Sequence, residues 1–589
     1  MPAGREPRRE GEEMDSVKPL ERLLFGGIIH AGAKLEKRVD AVGIRDGRIA
    51  ALGPRQDLLG LCGEQTLRED LGERCLLPGF LDPHNHFSVT TLAPLMADCR
   101  TPPLRTLAEI FEKMREKVKH TEAGRWVMGW GYEESLLKEG RDPVAAELDE
   151  ACPDNPAVLM HASLHRCVVN SLAQQICGFD RQAPDPEGGR ILRGRWGKPN
   201  GILVEQAAMK PFELARRDRL LIPQGDIEQL FAKNVNRLQR LGIVRVADAA
   251  VGPREKELYR RAAANGVAVP TDWMEVGDEG MFSPPTEMIR SRTGEAAVVK
   301  LFLDGAGQCA LEFSLWGGME GVVRVLGKVW SKKLPMSGLS ALRKAEVNLE
   351  SKGTLRFGFF LNDPDRIEGL VNEAHRQGLP VAAHALGNRA VRVMLDIYER
   401  AGNRYGAPAI PFRLEHAVFL TQDLIDRMAR LQVAAVVQPA FLFQYGPLFR
   451  SLPLPGQIRI LPLRRMLDAG VLVAGSSDGP CAPEDPLLAM DCAVRRTVPD
   501  NERLGEDEAI RVEEAIQLYT MNAARVMGCE RDLGSIELGK RADLVVVSAD
   551  PFQKSFVEIR VTQTLVNGAT AWKTRRDALR ARAGEERED

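Results

Sequence analysis

Short apolar runs alternate with longer amphipathic segments along the chain. The clearest runs lie at 243–247 (IVRVA), 298–303 (VVKLFL), 380–383 (PVAA), 433–437 (VAAVV) and 471–474 (VLVA). Continuous apolar runs of this length are typical of strands that are buried on both faces, as in a parallel sheet. The pattern therefore predicts a parallel sheet built from a long central stretch of the sequence.

The segments between these runs have helical spacing. In 364–378 the apolar residues recur every three or four positions, Pro364 stands in the first turn and Gly378 at the end. The segment that begins with Thr421 as a candidate N-cap repeats this pattern. Because strands that alternate with helices form parallel sheets with right-handed crossovers, we predict five to eight strand–helix units between residues 77 and 500. This number is enough for an α/β fold with a TIM-like (β/α)8 barrel.

Both ends of the chain show a different pattern of short strands and turns. Residues 16–76 and 533–574 carry such strands, and Asp46-Gly47 is a hairpin-turn dipeptide. We predict that the two ends meet in one small composite β-sandwich domain, beside a barrel that spans 77–532.

One region within the predicted barrel does not show the alternation of strands and helices. Residues 88–240 are too long for a loop without structure of its own, so we predict an inserted α/β subdomain. Residues 1–15 and 575–589 are polar and are expected to be disordered tails, with Met14 as an alternative start.

Composition narrows the class of protein. The 589 residues are 44% hydrophobic and 28% charged, with a formal net charge of -2, which gives no basis for attraction to nucleic acid or to an anionic membrane. No apolar stretch reaches the roughly 18 residues of a membrane helix, and the charged N-terminus lacks the apolar core of a secretory signal. Ten cysteines without a CxxC pair indicate buried thiols in a reducing compartment. We expect a cytoplasmic protein with no nucleic-acid or membrane partner.

The chain has only nine histidines, so their positions are informative. His84 and His86 stand two apart at the end of a predicted strand, which directs both imidazoles to the same face. His384, His416 and Asp478 each close another apolar run. Taken singly, each residue is more simply a hydrogen-bonded structural group. Because the carboxyl ends of barrel strands surround one cleft, the set as a whole favours a metal site there.

Lys300 lies inside the apolar run VVKLFLD, where a buried ammonium is costly. Desolvation and neighbouring cations lower the pKa of a lysine, and a neutral amine can add carbon dioxide to become a carbamate that bridges two metal ions. The alternatives are an ion pair with Asp304 or a side chain that extends to solvent. The residue alone does not decide between them.

The motifs PGFLDPHNH, VVKLFLDG, HALGN, RLEHA and GSSDGP, followed by GSIELGKRADLVVV, together resemble the amidohydrolase superfamily. The segments GWGYEES, LDEACPDNPAVLMHASLHRCVVNS and NGILVEQA are similar to its YtcJ-like branch, which includes N-substituted formamide deformylases. The resemblance covers roughly residues 20 to 575. It implies a metal-dependent hydrolase barrel.

The resemblance also implies a binuclear metal centre whose ligands are His84, His86, Lys300, His384, His416 and Asp478. The first two histidines would hold one ion and the last two the other, with carboxylated Lys300 as the bridge. Asp478 would also be the catalytic acid and base. Two divalent ions are expected, most simply zinc, with iron or manganese as alternatives. Arg413 and Glu415 are expected to support the ligands and not to react.

The predicted function is hydrolysis of a carbon–nitrogen bond, of the amide or N-formyl type, in a small molecule by a metal-bridging hydroxide. His165, by the resemblance, and Arg495, in the segment AVRRT, are the candidate substrate-binding residues; for Arg495 a position on a helix surface is an equally good interpretation. The stretch after Lys300 is dissimilar to the family, so substrate specificity does not carry over. The family's habit of dimerisation leaves a homodimer open.

Two other functions remain in view. Mononuclear deaminases of this superfamily carry a glutamate three residues after the strand 5 histidine, where this chain has Gly387. A non-catalytic scaffold on the same fold usually lacks metal ligands, whereas this sequence keeps all of them. Both alternatives are therefore less favoured than the hydrolase.

Overall fold

The computed structural model describes residues 18–219, 226–267, 271–277, 281–283, 298–306, 309–330, 347–349, 353–499 and 502–574. The predicted tails and Met14 lie outside these residues. In the described part of the chain, no helix is both long and apolar enough to cross a membrane.

Eight parallel strands form the central sheet, in sequential order from first to last. They are β1 (Phe80–Asn85), β2 (Ile243–Val251), β3 (Thr271–Glu275), β4 (Val298–Phe302), β5 (Val381–Ala385), β6 (Arg413–His416), β7 (Ala434–Val437) and β8 (Val473–Gly475). The N–H of Asp478, just after β8, donates to the carbonyl of His84 in β1 at 2.8 Å, which joins the last strand to the first. The predicted TIM-like barrel is confirmed, and its five clearest apolar runs are β2, β4, β5, β7 and β8.

The barrel strands are covered on both sides, by the barrel interior and by the outer helices. All residues of β5 and β7 are buried. Small residues fill the narrow interior, for example Ala247, Ala249 and Ala382 in one cluster. Larger apolar side chains on the outer side contact the surrounding helices.

The helices outside the barrel follow the predicted pattern. In Pro364–Arg376 the Asp363 carboxylate accepts the Asp365 N–H at 2.7 Å, and Gly378 has a φ of 71°. Helix Gln422–Arg430 follows Thr421 as predicted, although the Thr421 hydroxyl bonds the Asp423 carboxylate and no backbone N–H.

The other helices of the described residues are Arg55–Leu59, Phe87–Leu92, Leu107–Val118, Ala145–Ala151, Ser171–Cys177, Gln206–Arg219, Asp226–Arg240, Pro253–Ala264, Leu315–Trp330, Asn388–Tyr405, Phe441–Ser451, Leu463–Asp468, Pro486–Arg495, Val512–Leu518 and Met521–Val526. Short 3-10 turns lie at Ala93–Leu95, Glu134–Leu136, Arg195–Gly197, Glu506–Glu508 and Phe556–Glu558.

Strands from both ends of the chain form two packed sheets. One contains Arg48–Gly53, Ala41–Arg45, Leu20–Phe25 and Cys62–Asp70; the other contains Ala569–Lys573, Val561–Val566, Leu544–Val547, Cys75–Pro78, Ile28–Ala31 and Lys37–Arg38. Leu24 and Ile44 of the first sheet share a buried cluster with Leu544 of the second. The β-sandwich is confirmed, and Asp46-Gly47 forms its predicted hairpin turn, with both residues at positive φ. The domain boundaries themselves stay a prediction.

The inserted region has its own six-stranded sheet, as predicted. Its strands, in order, are Gly189–Arg193, Pro199–Glu205, Arg166–Val169, Ala157–His161, Val127–Tyr132 and Ala97–Asp98. A three-stranded sheet of Leu311–Ser314, Thr354–Phe357 and Val347–Leu349 and a two-stranded sheet of Phe419–Leu420 and Arg459–Ile460 lie beyond the barrel strands.

We predict that the C-terminal strand is needed for stability. Leu544→Ala removes a fully buried side chain from the packed sheets and should lower the free energy of unfolding by about 2–5 kcal/mol. Leu538 is exposed, so Leu538→Ala should change it by less than about 0.5 kcal/mol. Thermal denaturation followed by circular dichroism compares the two, and equal melting would contradict the composite sandwich.

Candidate metal centre

The structure brings six chemically active side chains together at the carboxyl end of the barrel. They are His84 in β1, His86 just after it, Lys300 in β4, His384 in β5, His416 at the end of β6 and Asp478 three residues beyond β8. All six are buried. One parallel barrel collects them because the carboxyl ends of all its strands face the same side.

Distances within the group are short. Asp478 Oδ1 lies 3.1 Å from His84 Nε2 and 3.2 Å from His86 Nε2. The ring centroids of His384 and His416 are 4.4 Å apart, and those of His84 and His416 are 4.9 Å apart. The imidazoles that the sequence pairs in two sets therefore face one common space.

These donors fit divalent metal ions. His84, His86 and Asp478 offer two imidazole nitrogens and a carboxylate oxygen from one side of the space, a donor set that suits zinc. Among the described residues, no hydrogen-bond partner contacts Lys300 Nζ or His384 Nε2, although both atoms are buried. Buried polar atoms without partners are costly, and a bound cation removes that cost.

Burial sets the protonation state of this group. Burial lowers the pKa of His416 to about 3, and burial, with a smaller contribution from the neighbouring imidazoles, holds the pKa of His384 far below its usual value. Both rings are therefore neutral, the form that binds a metal. Burial also lowers the pKa of Lys300 to about 8, despite opposing contributions from Glu415 and Asp478.

A second layer of side chains orients the imidazoles. Burial would raise the pKa of Glu415, but Arg413, at 2.7 Å, and His84 bring it to about 2. The ionised carboxylate can only accept, so His84 Nδ1 carries the proton in their hydrogen bond and leaves Nε2 facing the space. This matches the supporting role expected for Arg413 and Glu415.

His416 is held by a residue that the sequence analysis did not single out. Gln438, just after β7, donates from Nε2 to Ser476 Oγ at 2.9 Å. Its Oε1 therefore accepts from His416 Nδ1, also at 2.9 Å. In the sequence, the signal that could have identified Gln438 was a polar residue at the end of a predicted barrel strand.

The loop after β5 is fixed by a buried carboxylate that the analysis also treated only in passing. Asp304 accepts the backbone N–H groups of Leu386, Gly387 and Ala310, each at 2.9 Å. Burial nevertheless raises the pKa of Asp304 to about 7. This carboxylate therefore bonds the loop backbone. The alternative of a Lys300–Asp304 ion pair has no support among the described residues, because Lys300 Nζ makes no hydrogen bond there.

Gly387 in this loop bears on the deaminase alternative. A Cβ added at Gly387 would lie 2.0 Å from the carbonyl oxygen of Ala310, far inside van der Waals contact. The proton-shuttling glutamate of such deaminases therefore does not fit at this position.

A cavity of about 240 Å³ opens onto five of the six side chains, His84, His86, His384, His416 and Asp478, whereas Lys300 lies behind its wall. Aromatic and aliphatic side chains form most of its wall, namely Met281, Phe282, Phe302, Leu311, Phe313, Phe357, Leu386, Phe419, Phe441, Tyr445, Leu448, Phe449, Leu452, Pro453 and Leu454. One tight turn of the inserted subdomain, between strands Ala157–His161 and Arg166–Val169, closes part of it. The insertion and the barrel thus share one cleft.

His165 lies on this turn and reaches the cavity. Its ring centroid is 5.1 Å from that of His384, and it stacks on Phe282 at 4.5 Å. His165 Nδ1 is 2.6 Å from Glu205 Oε2. The structure thus places His165 beside the candidate metal ligands.

Arg495 lies elsewhere. Its half-exposed guanidinium contacts Ser555 Oγ at 3.4 Å and Asp491 at 4.0 Å, and it is absent from the cavity wall. Arg495 is the last residue of the helix Pro486–Arg495, and its side chain points towards the C-terminal segment. The structure therefore does not support the predicted substrate contact.

A polar patch on the cavity wall was not predicted. His161 Nε2 lies 3.0 Å from Glu133 Oε2 and 2.9 Å from Glu134 Oε2. Although burial opposes it, these two carboxylates raise the pKa of His161 to about 9, so the ring is charged at neutral pH. Arg166 also pairs with Glu134, at 3.0 Å. The patch belongs to the segments GWGYEES and MHASLHR, in which the sequence analysis assigned a role only to His165.

An eight-stranded barrel with imidazoles, an amine and a carboxylate around one buried cleft defines a metal-dependent hydrolase. The chain belongs to the amidohydrolase family, because the sequence model of that family, Amidohydro_3, matches residues 69–571. It is therefore a metal-dependent enzyme that hydrolyses carbon–nitrogen bonds.

Similar proteins cover nearly the whole chain. An N-substituted formamide deformylase of Arthrobacter pascens is 32% identical over 538 residues, which are 89% of this chain and 93% of that protein. The putative amidohydrolase YtcJ of Bacillus subtilis (strain 168) is 27% identical, over 94% of this chain and all of that one. The crystal structure of an uncharacterized metal-dependent hydrolase from Pyrococcus horikoshii OT3 shares the fold, with a TM-score of 0.63 at 21% identity, over 91% of this chain and 99% of that chain.

We predict that Glu415 supports metal binding through His84. Glu415→Gln keeps the shape of the side chain but removes the charge that holds the His84 proton, so the affinity for Zn²⁺ should fall about 10–100-fold. Chelator competition with the metal-free protein measures this affinity. The matched control is Glu368→Gln, since Glu368 pairs with Arg400 on an outer helix. Equal affinities for the two variants would contradict the supporting role.

Proposed function

We propose that the protein hydrolyses an N-formyl or N-acyl amine whose nitrogen carries a large apolar group. The observation that carries this proposal is the cavity, in which a polar, metal-fitting end meets a wall that is mostly aromatic. Similarity to the N-substituted formamide deformylase supports the formyl type of bond.

The proposal assigns two divalent ions to the six buried side chains. His84 and His86 would hold one ion, and His384 and His416 the other. Lys300, as its carbamate, would bridge them, since its unpartnered, buried amine has a lowered pKa. Imidazole, carboxylate and carbamate donors favour zinc, with iron or manganese as alternatives. When bound, such ions lower the pKa of water and polarise a carbonyl group.

Asp478 is the proposed acid and base. Burial would raise its pKa, but His84 and His86 hold it well below the usual value, so the carboxylate is ionised and able to accept a proton. It would take the proton of the attacking water at Oδ1 or Oδ2 and deliver it to the leaving nitrogen. The products are a carboxylic acid, formic acid for an N-formyl substrate, and a free amine.

His165 is the proposed substrate contact. Its Nδ1 is engaged by Glu205, and its ring is packed between Phe282 and His384, so Nε2 is the polar ring atom left for the substrate. Glu205 is fully buried and acts only through His165, as a positioning residue. This arrangement would hold the amide at the polar end of the cavity.

The apolar wall selects the group on nitrogen. Phe313, Phe357, Phe419 and Phe449 line the part of the cavity built by the barrel loops and the three-stranded sheet. Burying apolar surface there is worth about 25 cal/mol per Å². A substrate with a benzyl or similar group therefore gains affinity that a methyl group cannot provide.

The cellular compartment and the oligomeric state of the protein are also proposals. All ten cysteines are free, and most are buried, which agrees with a cytoplasmic protein. A homodimer stays a prediction.

We predict that N-benzylformamide is a much better substrate than N-methylformamide. The benzyl group offers about 100 Å² more apolar surface, or about 2.5 kcal/mol, so kcat/KM should be close to 100-fold higher. Formate release by the zinc-loaded enzyme measures both rates.

Two variants make this experiment specific. Phe449→Ala should reduce the preference for the benzyl substrate while N-methylformamide turnover changes little, because only the apolar wall is altered. Asp478→Asn should lower kcat on both substrates by about a thousandfold or more. Equal rates for the two formamides, or ammonia release from heterocyclic amines without formate release from either, would refute the proposed function.

A further inference from the structure

The helix Leu315–Trp330 presents its large apolar side chains to solvent. Trp316 is 76% exposed and Trp330 is 91% exposed. Met319, Val323 and Leu326 between them are also exposed. Steps of three and four residues place all five on one side of the helix, which we call the Trp316–Trp330 face.

Glycines on the opposite side of this helix lie close against the rest of the protein. A Cβ added at Gly318 would lie 2.6 Å from Leu355 Cδ1, and one added at Gly321 would lie 2.0 Å from the carbonyl oxygen of Pro453. At these glycines the helix backbone therefore lies directly against the protein. This is the reverse of an ordinary surface helix, whose large apolar residues face the core.

The helix also forms the outer layer of the cavity wall. Phe313, which packs against Gly318, and Pro453, which packs against Gly321, both line the cavity. One layer of side chains thus separates the Trp316–Trp330 face from the space beside the candidate metal ligands.

We propose that the Trp316–Trp330 face binds the surface of a phospholipid membrane. The helix has 16 residues and is about 24 Å long, so it lies in the interface and does not span the bilayer. Tryptophan at both ends suits the boundary between headgroups and acyl chains.

Charge in the same stretch of sequence agrees with a lipid partner. From Leu315 to Lys333 the sequence contains four basic residues, Arg324, Lys328, Lys332 and Lys333, and one acidic residue, Glu320. Basic residues beside an apolar helix face favour anionic lipids. The expectation of no membrane partner rested on the net charge of the whole chain and on the length of a spanning helix. Neither property describes a single helix face.

A second copy of the chain is the competing occupant. A strip about 24 Å long and about 10 Å wide offers roughly 240 Å² to a partner, whereas a stable protein interface needs about 800 Å² on each side. The helix face alone is therefore too small for a stable dimer, but it is of ordinary size for an interfacial membrane helix.

Membrane contact has a consequence for the substrate that rests on the proposed function. An amide with a long apolar group partitions into lipid, and the face lies beside a cavity with an apolar wall. The membrane would then be the source of the substrate.

Vesicle flotation tests the binding without any substrate, so its result is independent of the proposed function. The full chain, loaded with zinc, is mixed with vesicles of phosphatidylcholine and phosphatidylglycerol and floated on a density gradient. The test variant is Trp316→Ser combined with Trp330→Ser. The control is Trp196→Ser, since Trp196 is 81% exposed on a turn of the inserted sheet. A second test variant, Val323→Glu, places a charge in the middle of the face.

Wild type and the control should float with the vesicles, and both test variants should bind at least about tenfold less. Unchanged circular dichroism and zinc content show that the variants are folded. The proposal is overturned if wild type does not float or if the test variants float equally well. It is also overturned if wild type is a dimer that both variants convert to a monomer without any vesicle binding, because a second copy would then cover the face.

Discussion

The main constraint on this structure is that several polar side chains are buried together in one space that is largely shielded from water. Four imidazoles, one amine and one carboxylate meet at the carboxyl end of the barrel, where burial suppresses the charge of His384 and His416 and lowers the pKa of Lys300. In a low-dielectric interior such a cluster is unfavourable unless cations satisfy it. The barrel makes the cluster possible because it holds these side chains on, or just beyond, the carboxyl ends of five of its strands.

The surrounding structure serves to hold this cluster in one arrangement. Glu415 and Gln438 set the ring nitrogens of His84 and His416, and Asp304 binds three backbone N–H groups of the loops beside His384. The inserted subdomain adds His165 and closes the cleft with its own turn. The apolar wall then excludes water from the rest of the cavity, which strengthens electrostatic interactions at its polar end.

The sequence predicted those parts of the structure that depend on local pattern. Apolar runs predicted the barrel strands, Asp46-Gly47 predicted a hairpin, and the ends of the runs predicted which side chains the barrel brings together. It did not predict Gln438 or the bonding of Asp304, because both act through contacts between segments distant in the chain. For Arg495 the sequence left a substrate contact and a helix-surface position equally open, and the side chain contacts Asp491 on its own helix and Ser555 in the C-terminal segment. The helix Leu315–Trp330 was overlooked because its glycines carry the packing, the reverse of the pattern used to assign buried faces.

The central claim is that Lys300 bridges two metal ions as a carbamate, and the metal content of the purified protein tests it most directly. Wild type and Lys300→Ala, each prepared with bicarbonate, are compared by plasma mass spectrometry. We expect about two divalent ions per chain in wild type and a clear loss in the variant. One ion in both proteins would contradict the bridge and return the mononuclear alternative, and no metal in wild type would contradict the metal centre itself.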